Sequence, residues 1–154
     1  MKPIRNSVKA IIINNGKVLL TKNKDDKGYF YLFPGGGQHP GEELKNTLVR
    51  ECIEEVDQEI DIGELLFIRE YIGKNHEFSE FDYDVHQVEF YFNCNLKSKE
   101  VNENIKNGYI PDSCQVSVEW IEISKLDTIR LYPKTLINKL KNNILSPCYI
   151  GDVG

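Results

Sequence analysis

The apolar positions change period several times along the chain, and each change marks an element. Two apolar runs, residues 8–15 ("VKAIIINN") and 17–22 ("KVLLTK"), flank Asn15-Gly16. An Asn-Gly pair between such runs is a strong hairpin signal. A charged stretch at 22–28 reads as a loop, and "YFYLFP" at 29–34 as a short aromatic strand ended by proline. The three glycines at 35–37 read as a turn. The period then becomes helical. Leu44, Leu48, Val49, Cys52, Ile53 and Val56 recur at three- and four-residue spacing, which predicts a helix from about Gly41 to Val56 with one buried stripe. Glu42 and Glu43 would sit in its first turn, at the positive end of the helix dipole.

The rest of the chain is mainly extended. Residues 59–73 read as a strand bent at Gly63. Residues 83–96 alternate, with Val88, Phe90 and Phe92 facing one way and Gln87, Glu89 and Tyr91 the other. A polar loop is expected over 97–111 and a further strand over 115–123. A second helix is expected over 132–145, with Leu136, Ile137, Leu140 and Ile144 inward. The tail after Pro147 carries no periodic signal. Strands, helix, strands, helix is the order of an α+β fold, a mixed β-sheet sandwiched by helices, and not of a regular βαβ winding.

Composition narrows the class. A chain of 154 residues, 40% hydrophobic and 28% charged, fits a single domain over 1–154 with its own core. A net charge of -5 argues against a protein that grips nucleic-acid backbones. It leaves room for a small phosphorylated ligand whose charge a metal ion offsets. Cys52, Cys94, Cys114 and Cys148 form no CxxC pair, which argues against a zinc site. The first 15 residues have too short an apolar run for a secretory signal, so reduced thiols in a cytoplasm are expected. No apolar run approaches the roughly 20 residues that span a bilayer.

The chemistry concentrates in "PGGGQHPGEELKNTLVRECIEEV", residues 34–56. Glu51, Glu54 and Glu55 stand at i, i+3 and i+4, so on a helix they are neighbours. Their period sets them on the face away from Leu44, Leu48 and Cys52. Like charges this close destabilise a helix unless a cation compensates. Oxygen-only ligands select hard ions, Mg²⁺ or Mn²⁺, and Mg²⁺ usually binds through one or two carboxylates plus substrate phosphates. Glycines just before a helix N-terminus let backbone approach such a ligand. A triple glycine alone is a common turn, and an acidic helix face alone is usually a solvated one.

Together the residues are more specific. Gly36, Glu42, Arg50, Glu51, Glu54 and Glu55, at these spacings, resemble the Nudix box of the Nudix hydrolases. The box runs here from Gly36 to Gln58. Cys52 stands at an aliphatic position, which a buried thiol suits. Asp57 replaces the last glycine of the pattern and Gln58 its last aliphatic residue. Both departures fall at the helix end, where Asp tolerates a left-handed cap better than most residues.

The resemblance implies an α/β/α sandwich and a hydrolase that cleaves a nucleoside diphosphate linked to another moiety, using Mg²⁺ or Mn²⁺. It implies Glu51 and Glu55 as metal ligands and Glu54 as a third ligand or the residue that positions water. Arg50 would orient Glu51, the Gly36 carbonyl would be a further ligand, and Glu42 would support the loop. Relatives often add a glutamate before the Trp-bearing strand. Here residues 108–120 offer Asp112 and Glu119 instead, so the general base is Glu54, metal-held water or Asp112.

Within this class an ADP-ribose-like compound or nucleotide sugar is expected, with nucleoside triphosphates as the alternative, and any assembly is expected to be a homodimer. A noncatalytic nucleotide sensor and a structural protein with a solvated acidic helix are the other classes. His86 and Trp120 read as core residues, His39 as an exposed loop residue, and Glu89 as a residue that could line a cleft. The acids and aromatics of 76–84 read as a loop with one or two substrate contacts.

Overall fold

The computed structural model describes residues 2–98 and 104–154. Strands β1 (Arg5–Asn14) and β2 (Lys17–Asp25) form the expected hairpin. Asn15 and Gly16 both take positive φ, 50° and 73°, as a tight two-residue hairpin turn requires. β2 runs on through most of the stretch expected to be a loop, pairing with β3 (Gly28–Leu32). The glycines expected to turn form instead a short strand, β4 (Gly35–Gly37), antiparallel to β1. A Cβ on Gly35 would lie 2.0 Å from the Val8 carbonyl oxygen, so only glycine lets the two backbones come this close.

Helix α1 (Leu44–Val56) follows. β5 (Ile60–Ile72) bends as expected around Gly63, where its register against β6 (His86–Leu96) shifts between Ile62 and Leu65. A 3₁₀ turn (Gly73–Asn75) and a short helix α2 (Ser79–Asp82) connect them. β7 (Gln115–Glu122), a 3₁₀ segment (Ile123–Thr128), helix α3 (Thr135–Lys141) and β8 (Cys148–Asp152) complete the described order. α3 is shorter than its pattern predicts, and Ile144 is exposed rather than inward. β8 arises in the tail that carried no signal. It gains its backbone partners from β5, which it joins in parallel.

The sheet is mixed: β1 pairs with β6 in parallel and β5 with β6 antiparallel. Its two faces carry separate apolar clusters. Leu48, Cys52 and Val56 of α1 pack on Val8, Ala10, Ile12 and Leu19, and Trp120, expected in the core, packs half-buried against this cluster. Leu126, Leu131, Leu136 and Leu140 cover Ile11, Leu20, Phe33 and Phe67 on the other face. The result is the α/β/α sandwich with a mixed sheet that the pattern and the resemblance imply. No helix among the described residues is long and apolar enough to cross a membrane.

Candidate active site

α1 begins at Leu44 rather than Gly41, so Glu42 and Glu43 precede its first turn. The shift frees Glu42 for tertiary work. Its Oε1 accepts from the His39 backbone N–H at 2.9 Å and from the Thr47 hydroxyl at 3.2 Å. Arg50 grips the same carboxylate twice, Nε to Oε2 and Nη2 to Oε1, both at 2.9 Å. Such forked, charge-assisted pairs are the stronger hydrogen bonds. They hold the Glu42 carboxyl down at about 2, with the His39 N–H adding to the effect. Arg50 then spends its remaining donors on the site. Nη1 reaches Glu51 Oε1 at 3.0 Å and Glu54 Oε2 at 3.3 Å, and Nη2 reaches the Gly37 carbonyl at 3.2 Å.

The glutamates divide by burial. Glu51 and Glu54 are half-buried, whereas Glu55 is 2% exposed, facing the sheet rather than solvent. Helical period alone assigned it to the outward face. β4 explains the difference: a strand with no side chains leaves room for a carboxylate, and Gly35 N–H donates to Glu55 Oε1 at 2.8 Å. Burial pushes the Glu55 carboxyl up to about 8. The ammonium of Lys9, in register with Gly35, draws it back, and the carboxyl of Asp112, within hydrogen-bonding reach, adds to the rise. Burial also raises Glu51, against the pull of Arg50. Gly36 lies directly under Glu51, since a Cβ there would stand 2.5 Å from the Glu51 carboxyl carbon. The expected stripe is narrower than its spacing, because Val49 is exposed and Ile53 half-buried.

The end of α1 is closed by two devices. Asp57 adopts φ 53° and ψ 42°, the left-handed cap at the position where the box pattern has glycine. The loop of residues 104–114 caps the last carbonyls: Gly108 N–H donates to Glu55 O at 2.9 Å and Ile110 N–H to Glu54 O at 3.0 Å. The Gln115 amide also donates to Glu55 O, at 2.9 Å. This docking carries Asp112 to the site. Glu119 lies elsewhere, accepting from Tyr31 Oη at 3.2 Å and facing Lys22 at 3.5 Å.

All the ligand candidates offer oxygen, which suits a hard divalent cation. As the side chains stand, no three acidic, His or Cys groups among the described residues converge on one ion position. Arg50 Nη1 lies between Glu51 and Glu54 and supplies the positive charge there.

A second feature was not legible in the sequence. A cavity of about 340 Å³ is lined by Phe30, Phe78 and Tyr132 together with Arg69, Gln87 and Glu89. Glu89 lines it, as its strand face allowed. The 76–84 segment contributes His76, Glu77, Phe78 and Asp82. Period-2 alternation could have flagged Arg69 as sharing a face with Glu89, its partner in register, but nothing local pairs them. His86 is not a core histidine: it is half-buried at the sheet end, 3.2 Å from Glu70 Oε1. His39 is exposed, as expected.

This fold and this helix are a known combination. The family model for the NUDIX domain matches residues 3–140, and the chain belongs to that family. It is an enzyme of the Nudix hydrolase class. The nucleoside triphosphatase NudI of Enterobacter sp. (strain 638) is 26% identical, over 92% of this chain and 98% of that protein. The mouse "Nucleoside diphosphate-linked moiety X motif 6" is 27% identical over 74% of this chain, which spans only 33% of that protein. Among solved structures, a NUDIX hydrolase from Nitrosomonas europaea superposes with a TM-score of 0.70 at 17% identity, over 94% of this chain and 93% of the other. Nudix hydrolases generally act on small nucleotide derivatives with a divalent cation.

Proposed function

We propose that this chain, acting as one domain, hydrolyses a phosphoanhydride bond in a small nucleoside diphosphate derivative, with Mg²⁺ or Mn²⁺ as cofactor. The observation that carries the reading is the Arg50 fork, which gathers Glu42, Glu51 and Glu54 beside the side-chain-free β4. Three acids gathered by one guanidinium repel one another, and they are useful as ligands of a divalent cation that a polyanionic substrate would share. Nucleoside triphosphates come ahead of ADP-ribose-like compounds and nucleotide sugars, because the relative matched over nearly its whole length is named a nucleoside triphosphatase. Four free thiols fit a reducing cytoplasm.

Glu51 and Glu54 would hold the metal, with Glu55 and the Gly36 carbonyl behind them. When bound, the ion neutralises charge on the phosphoanhydride oxygens. Arg50 fixes the Glu51 and Glu54 carboxylates by hydrogen bonds, so they need not reorganise as the P–O bond breaks. Glu54, half-buried and held through Oε2, orients the attacking water and accepts its proton. Burial raises the Glu55 carboxyl to about 8 in the metal-free protein, with Asp112 within hydrogen-bonding reach. Asp112 is the second choice of base. Water adds to phosphorus, and the anhydride oxygen leaves with the other phosphate product.

The test is a hydrolysis panel of triphosphates, ADP-ribose and nucleotide sugars, with Mg²⁺, with Mn²⁺ and with chelator, and Glu51→Gln as the blank. Metal-dependent release of phosphate-bearing products supports the reading. Turnover that survives in Glu51→Gln or in chelator sinks it. A noncatalytic sensor would bind nucleotides in the same panel and release nothing.

A further inference from the structure

The cavity is lined by two arginines, Arg69 and Arg130. All three guanidinium nitrogens of Arg130 have acceptors: Nη1 and Nη2 both donate to Asp25, and Nε reaches the Tyr132 hydroxyl at 3.1 Å. Arg69 is held through two of its nitrogens. Its Nε donates to the Val153 carbonyl at 2.9 Å, its Nη1 to Glu89 Oε1 at 2.7 Å, and its guanidinium carbon lies 5.0 Å from the Tyr71 ring centre. A guanidinium carries five N–H groups. Two have these acceptors, and the Tyr91 hydroxyl alongside can take one more while it donates to Glu89 at 2.6 Å. At least two are left. Arg69 lines the cavity, so the N–H groups without a protein acceptor are the ones a ligand there would meet.

A buried ion pair such as Arg69–Glu89 is a poor way to gain stability, because desolvating two charges offsets their attraction. Its presence in the lining of a cavity with aromatic side chains asks for another reason. The walls suit a flat ring: Tyr132 meets Phe30 at 6.3 Å and Phe78 at 5.8 Å between ring centres, both edge to face. The charge excludes an anion, since Asp25, Glu77, Asp82 and Glu89 outnumber Arg69 and Arg130 on the lining. A neutral ring with acceptor atoms on its edge satisfies all three conditions. Guanine presents paired acceptors at O6 and N7, and uracil or thymine presents O4, whereas adenine sets an amino donor at the corresponding position.

We propose that Arg69 is a specificity-determining residue that selects an oxo base, guanine or uracil, against adenine. The inference rests on the hydrolase reading above and narrows its substrate. It sets ADP-ribose behind guanosine and uridine substrates. Glu89 and Val153 act through Arg69 by aiming its free donors.

The experiment compares kcat/KM for GTP, UTP and ATP, and binding of GMP, UMP and AMP by calorimetry without metal. The wild-type protein should favour GTP or UTP over ATP by about tenfold or more, the discrimination of one good arginine–base contact. Arg69→Lys keeps the charge facing Glu89 but loses the fork, and should bring the ratio to within about twofold. Arg69→Met with Glu89→Leu removes the pair without stranding a charge, and should do the same if the lysine variant does not fold. ATP used as well as GTP and UTP by the wild-type protein overturns the proposal, as does an oxo-base preference that survives in the folded variant. If no nucleotide is hydrolysed while GMP or UMP still binds tenfold better than AMP, the hydrolase reading fails and Arg69 keeps its role.

Discussion

Two arginines organise two regions of this molecule, and they do so in opposite ways. Arg50 draws on acids within eight residues of itself, all in or beside one helix, and its partners are half-buried. Arg69 draws on Glu89 twenty residues away and on Val153 eighty-four residues away, and is buried. The first cluster gathers repelling charges at a place that water reaches. The second neutralises charge in an aromatic cavity. The contrast matches a division of labour between handling phosphates and choosing the group attached to them.

Substitutions can separate the two regions. The largest effect is expected at the acids. Glu54→Gln and Glu51→Gln should each lower kcat by about 10²–10⁴, the range for removing a positioned acid or base, with the fold intact by circular dichroism. Wild-type kcat in either variant would detach α1 from the chemistry. Arg50→Met should lower kcat/KM by about 10–100-fold, as for groups that orient metal ligands, and should leave GMP and AMP binding ratios unchanged. A shift in those ratios would mean that the two regions are not separate.

Glu55 sharpens the picture on stability. Its folded pKa, about 8, lies above the roughly 4.3 of an unfolded glutamate. The folded state therefore binds the proton more tightly, and metal-free stability should fall as pH rises from about 4.3 to 8. Glu55→Gln should remove that dependence and raise the melting temperature at pH 8, while lowering activity. An unchanged or lower melting temperature there contradicts the burial argument.

Glu42 gives the reverse sign and the smallest effect. Its folded pKa, about 2, lies below the unfolded value, so its contribution is present above about 4.3 and fades as pH falls toward 2. Glu42→Gln should narrow the difference between melting temperatures at pH 5 and pH 2.5. An undiminished difference would mean that the Arg50 fork does not govern Glu42.

The same local-versus-distant contrast explains what could be read from sequence. The Asn15-Gly16 hairpin, the α1 stripe and the acid spacing are local patterns, and they point to the sandwich and to the residues around Arg50. The left-handed cap at Asp57 follows from its position at the helix end. Glycine is ambiguous in this respect. Three in a row signal a turn, and only the approach of Val8 makes them a strand. Glu55 was assigned to the wrong face because helical period cannot see that β4 lacks side chains. β8 is too short to carry a periodic signal, and it finds its backbone partners in β5. The cavity joins residues from β2, β3, β5, β6 and the segment after β7, a grouping that no window of sequence contains.

The central claim is that the acids around Arg50 form a divalent-cation site for a phosphoanhydride substrate. Electron paramagnetic resonance of free Mn²⁺ tests it most directly, with the ion titrated into wild-type and Glu51→Gln protein. The account predicts saturable Mn²⁺ binding by the wild-type protein, tightened by added nucleotide and weakened about tenfold or more by Glu51→Gln. Equal Mn²⁺ affinity in the two proteins would contradict it.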